Sequence, residues 1–363
     1  MLLSEIIIDK IRKEGPLSFH DFMEMALYFP GYGYYTSSKE RIGQHGDYYT
    51  SPLVTPLFGY LLAKQMEEIW NLLKPAKFDI VECGAGTGLL CSHILNALSS
   101  NKELYDQLEY YIVEKNERGK EFPTSDKVSW LRSIHQIPAI TGCILSNELI
   151  DNFPVHVVVM EDELMEVFVD YKNEFIEILR PASESLRQYF EELQVHLPKG
   201  FRTEINLRAI NWMADIAAAL KKGFVISIDY GFPSAELYSY KRRLGTLTCY
   251  HKHQVNLCPF IHIGEQDITS HVNFSALHYW GSKNGLKLCG FTNQSRFLQS
   301  LGLCDYLRMI EGVSNYSASD VQKNTWLLHQ FLMDMGQKLK VLIQSKRMEN
   351  SNLSGLQLAE YIH

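Results

Sequence analysis

The chain has 363 residues, of which 46% are hydrophobic and 21% are charged. Such a composition is typical of a globular protein with a sizeable apolar core, arranged as one large or two medium domains. The formal net charge of -7 argues against a nucleic-acid-binding protein, since those proteins usually carry a basic face.

The first residues and the cysteines bear on the cellular compartment. The start, MLLSEIIIDKIRKEG, lacks the basic region and long apolar stretch of a secretory signal, and it is too acidic for a typical mitochondrial presequence. The seven cysteines form no C-x-x-C pair, which favours reduced thiols in a reducing compartment. No apolar run approaches the length that crosses a bilayer. We therefore expect a cytoplasmic protein without a membrane span.

Residues 1–75 are predicted to form N-terminal helices and an active-site lid. The apolar spacing indicates helices at 2–13 and 18–28 and a longer amphipathic helix at 55–73. Residues 30–52 are rich in glycine and tyrosine and have no regular period. A loop of this length inside a globular chain is usually a lid or a binding loop.

Residues 76–300 are predicted to form the core. Apolar strands alternate there with helical segments, and the strand sequences are FDIVEC, YYIVEKN, VSWLRS, GCILS and GFVISIDYG. This alternation indicates an α/β fold, in which a parallel sheet is covered by helices on both faces. Residues from about 155 to 205 begin with period-2 segments around polar turns, which predicts an inserted antiparallel β meander. Residues 301–363 are predicted to be a helical segment.

The stretch DIVECGAGTGLL is predicted to be a strand, a glycine turn and the start of a helix. Gly84, Gly86 and Gly88 allow a ligand to approach the backbone closely. No Lys-Ser or Lys-Thr follows, which excludes a phosphate-binding P-loop, and Leu89 does not fit the dinucleotide pattern G-x-G-x-x-G. The loop could serve NAD, FAD or S-adenosylmethionine, or it could simply pack the turn.

Two acids narrow this choice. Glu82 precedes the first glycine by two residues, where a carboxylate would repel a pyrophosphate about 5 Å away by about 3 kcal/mol at an effective dielectric of about 20. S-adenosylmethionine instead carries an ammonium and a sulfonium, which a carboxylate attracts, so Glu82 favours this methyl donor. Glu114 ends the next predicted strand, where it is expected to accept hydrogen bonds from ribose hydroxyls. The alternative for Glu114 is a solvated carboxylate at a strand end.

Three polar residues follow the fourth predicted strand, in the stretch ILSNELIDNFPV. Asn147, Glu148 and Asp151 either cap a turn before Pro154 or bind a cationic group. Substrates of open α/β sheets bind at the carboxyl ends of the strands, which is where these residues are expected.

The chain resembles the MidA family of class I S-adenosylmethionine-dependent methyltransferases from about residue 15 to about residue 305. The motifs that carry the resemblance are HGDYYTSPLVTPLFG, VECGAGTG, SNELIDNFPVH, IDYGF, GTLTCYHKH and GEQDITSHVNFSAL. The resemblance implies a Rossmann-like class I methyltransferase core with an inserted β meander and additional helices, and S-adenosyl-L-methionine as the cofactor. The family includes the mitochondrial assembly factor of respiratory complex I that dimethylates an arginine of a core subunit. The resemblance therefore implies a protein substrate, with a bacterial NADH dehydrogenase subunit as the candidate.

If the acceptor is an arginine, specific roles are expected for the polar residues. Glu148 and Asp151 are expected to pair with the N–H fork of a guanidinium, and Asn147 to support either of them. The lid residues Asp47 and Tyr49 are expected at the cofactor, where a tyrosine ring can face the sulfonium. Tyrosines that merely pack the lid are an equally good interpretation.

The motif GEQDITSHVNF is expected at the rim of the active site, with Glu265, Asp267 and His271 binding substrate. Two histidines in an H-x-H pattern are too weak a signal for a metal site, so none is expected. Two other functions stay open, namely a small-molecule methyltransferase and a cofactor-binding assembly chaperone with little catalysis. A homo-oligomer is compatible with the sequence.

Overall fold

A computed structural model describes residues 2–37, 51–115, 125–305, 329–349 and 352–359, together with Trp326 and Ile362. The helices are α1 (Leu3–Glu14), α2 (Phe19–Tyr28), α3 (Ser51–Val54), α4 (Pro56–Leu73), α5 (Leu89–Leu98), α6 (Lys102–Gln107), α7 (Glu184–Glu192), α8 (Leu207–Ala219), α9 (Ser234–Leu237), α10 (Phe274–Lys283), α11 (Gln294–Ser300) and α12 (Met335–Lys338). The strands are β1 (Leu17–Ser18), β2 (Phe78–Cys83), β3 (Leu108–Val113), β4 (Val128–Leu131), β5 (Ile140–Asn147), β6 (His156–Met160), β7 (Leu164–Tyr171), β8 (Phe175–Pro181), β9 (Arg202–Ile205), β10 (Leu220–Phe232), β11 (Thr248–His251), β12 (Gln254–Asn256), β13 (Asp267–Thr269), β14 (Val272–Asn273), β15 (Lys287–Asn293) and β16 (Leu339–Lys346).

The central sheet has the order β15-β16-β10-β5-β2-β3-β4, and β14 pairs with β10. The run from β10 to β4 is parallel, whereas β16 is antiparallel to both of its neighbours. Apolar residues cover both faces of the sheet. Leu145 of β5 packs in a cluster with α4 and α5, and Ile144 packs in another cluster with α8 and α10. The predicted α/β fold is confirmed.

The sheet has a topological switch point at β2. This strand lies between β3 and β5, so the chain leaves β2 toward one side of the sheet and later returns to its other side. A crevice forms at the carboxyl ends of strands where the order reverses in this way, and ligands of open α/β sheets bind there. The switch point therefore fixes where the functional site lies.

The inserted meander is present as predicted. Strands β6, β7 and β8 form consecutive antiparallel hairpins, and β1 and β9 complete a five-stranded sheet. Apolar residues of α1 and α2 pack against this sheet in one cluster, while α7 packs in another. The N-terminal helices thus rest on the insertion.

The C-terminal segment differs from the prediction that residues 301–363 are helical. Residues Leu339–Lys346 form β16, which is hydrogen-bonded to β10 on one side and to β15 on the other. The physical reason is burial between two strands, because five consecutive residues of β16 from Val341 to Ser345 are buried. The helical prediction is wrong for this stretch.

Candidate active site

The glycine loop between β2 and α5 forms one wall of the crevice. Gly84, Gly86 and Gly88 have φ values of +73°, +55° and +75°, in the left-handed region that favours glycine. A Cβ at Gly84 would lie 2.5 Å from Leu149 Cδ1, so the loop abuts the turn that follows β5. The glycine loop and the acid-rich turn are therefore neighbours.

Glu114 lies at the rim of this loop, as the sequence predicts. Its Oε2 accepts a hydrogen bond from the Gly86 N–H at 3.2 Å, and its own N–H donates to the Leu131 carbonyl at 2.9 Å. These bonds hold a carboxylate beside the glycine loop, at the end of the strand next to β2. A ligand with two vicinal hydroxyls fits this arrangement, because a carboxylate accepts charge-assisted bonds from both.

Glu82 lies deeper, with only 3% of its surface exposed. The Tyr110 hydroxyl donates to Glu82 Oε2 at 2.6 Å. Burial raises the pKa of Glu82 to about 7 and outweighs the hydrogen bond, which lowers it; the nearby Glu114 charge raises it further. Its contact with the cofactor stays a prediction.

Glu148 begins the turn after β5 with a left-handed backbone, at φ +51°. A non-glycine residue in this region stores strain, which often marks a functional site. Its Oε1 accepts hydrogen bonds from the Ser51 N–H and from Asn147 Nδ2, each at 3.1 Å. Burial raises the pKa of Glu148 to about 7, and the Asp229 charge also raises it. Among the described residues, both donors meet Oε1, which leaves Oε2 for an incoming group.

Asp229, near the carboxyl end of β10, is a site residue that the sequence interpretation did not assign. Its Oδ2 accepts hydrogen bonds from the N–H groups of Leu149 at 3.1 Å and Ile150 at 2.7 Å, so it holds the turn in place. Burial raises its pKa to about 7. A signal for this residue is present in the sequence, because Asp229 directly follows the apolar run FVISI and lies inside the motif IDYGF.

Asp151 is a buried carboxylate with one oxygen left without a hydrogen-bond donor among the described residues. It is 7% exposed, and burial raises its pKa well above the ordinary value, with the charges of Asp229, Asp267 and Glu148 raising it further. Within the described part of the chain, its Oδ1 has no hydrogen-bond partner, and the same holds for Asn147 Oδ1. Buried acceptors without donors are costly, and a cationic hydrogen-bond donor would relieve them.

Asp267, the first residue of β13, forms an acid cluster with Glu148, Asp151 and Asp229. It is 3% exposed, and the Tyr35 hydroxyl donates to both carboxylate oxygens at 2.9 Å. Tyr35 follows α2, and its ring stacks on Tyr28 at 5.5 Å. The N-terminal segment thus reaches the acid cluster through a contact that no sequence pattern predicted.

The remaining predicted site residues are Glu265, His271 and two lid residues. Glu265 is exposed, and its carbonyl accepts a hydrogen bond from His251 Nδ1 at 2.9 Å. His271 lines a cavity of about 20 Å³, and burial lowers its pKa to about 4. Their role in substrate binding stays a prediction. The predicted lid residues Asp47 and Tyr49 lie outside the described residues.

Among the described residues, no group of three or more His, Cys, Asp or Glu side chains could hold a metal ion. No described helix is both long enough and apolar enough to cross a membrane.

The fold and the site together define a Rossmann-like class I methyltransferase, as the sequence predicts. Residues 61–292 match the model of the family described as "Putative S-adenosyl-L-methionine-dependent methyltransferase". This match covers well over half of the chain, and the chain belongs to that family. The cofactor of this protein is S-adenosyl-L-methionine.

Similar proteins agree with this assignment. A Burkholderia thailandensis protein, crystallised with S-adenosyl-homocysteine, has a TM-score of 0.89 and 28% sequence identity, over 99% of this chain and 95% of that one. Proteins from Bos taurus and Homo sapiens named protein arginine methyltransferase NDUFAF7, mitochondrial, are each 25% identical over 84% of this chain and 74% of their own length.

The residues present fit this cofactor. Glu114 is held beside the glycine loop by the Gly86 N–H, where it would accept hydrogen bonds from ribose hydroxyls. The acid cluster adjoins the loop through the contact between Gly84 and Leu149. Carboxylates at this place favour a positively charged cofactor over one that carries phosphates.

Proposed function

We propose that this protein transfers a methyl group from S-adenosylmethionine to an arginine side chain of another protein. The observation that carries the proposal is the buried acid cluster, defined by Glu148, Asp151, Asp229 and Asp267. Three of these side chains interact electrostatically with Asp151, whose Oδ1 lacks a donor among the described residues. A guanidinium supplies both a positive charge for the acids and N–H donors for this oxygen of Asp151.

The acceptor sets the harder part of the chemistry, because a guanidinium has a pKa above about 12 and its nitrogen lone pairs are delocalised while it is protonated. Bound S-adenosylmethionine supplies a methyl group on a sulfonium, and transfer is a displacement that depends mainly on positioning. The acceptor nitrogen must lose a proton as it gains the methyl group. Glu148 Oε2 can take this proton, because burial has raised its pKa to about 7.

Asp229 and Asp151 have different roles in this proposal. Asp229 is committed to backbone N–H groups of the turn, so it acts as a positioning residue. Asp151 has an oxygen to offer, and it would bind the guanidinium opposite Glu148. Asn147 orients Glu148 through its 3.1 Å hydrogen bond and keeps its own Oδ1 for a donor.

A subunit of a bacterial respiratory NADH dehydrogenase is the candidate acceptor, in the cytoplasm. The names of the bovine and human relatives support arginine as the acceptor residue. The hydrogen bond from Tyr35 to Asp267 brings the N-terminal segment to the acid cluster, and these extra elements beside the core suit a polypeptide substrate better than a small molecule.

The test combines cells and purified protein. Mass spectrometry of proteins from cells with and without the gene should find an arginine whose methylation depends on the gene. The purified protein should then methylate that arginine in the isolated subunit, with labelled S-adenosylmethionine as donor. Label that enters only small molecules would refute a protein substrate, and cofactor binding without any transfer would favour the assembly chaperone.

A further inference from the structure

The segment between Glu236 and Glu265 has an unusual charge for this acidic chain. It contains no Asp or Glu, while its basic residues and histidines are Lys241, Arg242, Arg243, His251, Lys252, His253 and His262. Strands β11 and β12 lie within it and form a hairpin, and the segment then leads directly into β13 and the acid cluster. This segment, which carries four Lys or Arg residues and no acid, thus leads into a site that attracts cations.

The turn of this β11–β12 hairpin has a backbone conformation that asparagine and glycine adopt with less strain than the two residues present. His251 pairs with Gln254, and the two residues between them, Lys252 and His253, have φ values of +48° and +60°. Two-residue turns with positive φ at both positions strongly prefer Asn-Gly. The tip of the hairpin therefore carries an ammonium and an imidazole at positions where asparagine and glycine would suit the backbone better.

The hairpin also presents apolar side chains to solvent. Val255 is 64% exposed, Leu257 is 76% exposed and Ile261 is 43% exposed. Val255 lies directly opposite Tyr250 in the antiparallel pair, and Tyr250 pairs in turn with Asp267 of the acid cluster. Exposed apolar residues next to charged ones are typical of a surface that binds a protein partner.

We propose that the β11–β12 hairpin and the loop that follows it, residues 248–263, form the docking surface for the polypeptide that carries the acceptor arginine. This inference rests on the proposed function and names the substrate class more closely. The acid cluster selects the arginine itself, whereas the hairpin repels neighbouring cations and attracts carboxylates. The substrate therefore presents acidic and apolar residues beside its acceptor arginine. Complementary charge at such a rim sets specificity and the rate of encounter.

The experiment measures binding of short fluorescent peptides to the full-length protein with S-adenosyl-homocysteine present. Each peptide has one arginine and an apolar flank, and the other flank carries either glutamates or lysines. We expect the glutamate peptide to bind about fivefold more tightly, with the difference shrinking as salt is raised. The double variant Lys252→Asn, His253→Gly should abolish the preference while raising the melting temperature, because Asn-Gly relieves the turn.

Matched variants separate docking from general effects of charge. Lys172→Asn removes an exposed lysine from the turn between β7 and β8 and should leave the preference intact. Val255→Ser should weaken binding of both peptides without changing their ratio. An unchanged preference in the Lys252→Asn, His253→Gly variant would overturn the proposal, as would tighter hairpin-dependent binding of an RNA oligonucleotide than of the glutamate peptide.

Binding and methylation are read separately, so that the two proposals can fail independently. Hairpin-dependent binding of the glutamate peptide without methylation would refute arginine as the acceptor and retain the docking surface. Methylation of both peptides with equal kcat/KM would retain the proposed function and reject the docking surface.

Discussion

At the scale of single residues, Glu148 has an environment that tunes a carboxylate for reaction. Its backbone is left-handed, its side chain is held by Ser51 and Asn147, and both bonds meet the same oxygen. A group fixed in this way offers its second oxygen in one direction, which is how a base is positioned against a substrate. The strain at this residue is therefore consistent with a part in proton transfer.

Glu148→Gln should keep cofactor affinity and remove methyl transfer. The amide retains the size of the side chain and its contact with Ser51, but it cannot take a proton, and loss of such a base costs about a hundredfold or more in rate. Calorimetry with S-adenosylmethionine and single-turnover methylation measure the two effects. The control Glu163→Gln changes an exposed carboxylate just before β7 and should be silent. Turnover of Glu148→Gln at the normal rate would remove the residue from the mechanism.

The raised pKa of Glu148 predicts how the rate of methyl transfer depends on pH. Burial raises the pKa of Glu148 to about 7, so the carboxylate form, which accepts a proton, becomes populated as pH rises toward that value. We expect kcat/KM for the acceptor to rise with pH up to about 7 and then level off, since this ratio reports the free enzyme. The cofactor affinity should change much less. A rate that falls with rising pH over this interval would contradict the assignment of Glu148 as the base.

At the scale of elements, the glycine loop depends on both its backbone and the turn beside it. Gly84→Ala places a Cβ 2.5 Å from Leu149 Cδ1, in addition to the left-handed backbone cost of about 1–2 kcal/mol. We expect weaker cofactor binding and a lower melting temperature. Gly200→Ala is the matched control, because Gly200 has a similar φ of +79° with no heavy atom within 4 Å of the added Cβ. If cofactor affinity and melting temperature fell equally in both variants, the Leu149 side chain would be able to move away from the added Cβ without a cost.

Local patterns explain which elements could be read from the sequence. The parallel strands, the glycine loop and the meander each follow from a pattern within about ten residues, and the structure confirms them. Strand β16 does not follow from a local pattern, because it forms a strand by pairing with β10 and β15, which lie far away in the chain. Propensity in strands depends strongly on such neighbours.

The burial of β16 gives a direct test. Ile343 is fully buried in the cluster that contains α4 and α5, so Ile343→Ala should lower the free energy of unfolding by about 2–5 kcal/mol. Leu358 is 49% exposed, and Leu358→Ala should change stability by less than about 0.5 kcal/mol. Denaturant unfolding of both variants measures this. Similar stabilities would show that residues 339–346 do not form a central strand.

At the scale of the whole molecule, the two halves of the site are assembled differently. The half of the site that is predicted to bind the cofactor comprises β2, its glycine loop and Glu114, all within about 40 residues of one another in the chain. The acid cluster brings together the turn after β5, the end of β10, the start of β13 and Tyr35 of the N-terminal segment. Sequence patterns therefore predicted the glycine loop and Glu114, whereas the contact of Tyr35 with Asp267 becomes visible only after folding.

The cluster also makes the stability of the molecule depend on pH. Burial, with the charges of Asp229, Asp267 and Glu148, raises the pKa of Asp151 well above its ordinary value. The folded protein then holds a proton that the unfolded chain releases, so this residue lowers stability as pH rises from the ordinary value toward the raised one. Asp151→Asn cannot ionise, and we expect it to unfold less readily than the natural protein at about pH 8 and similarly at about pH 4.

The measurement is denaturant unfolding of the cofactor-free protein across this pH range. Asp162→Asn is the control, because the side chain of Asp162 is 94% exposed and pays no cost of burial when it ionises. Asp151→Asn should at the same time lose affinity for the acceptor, since its amide brings no negative charge to a guanidinium. A variant that is stabilised and yet impaired would show that the charge of Asp151 is kept for binding at the expense of stability. Destabilisation at every pH would instead mean that Asp151 serves the turn.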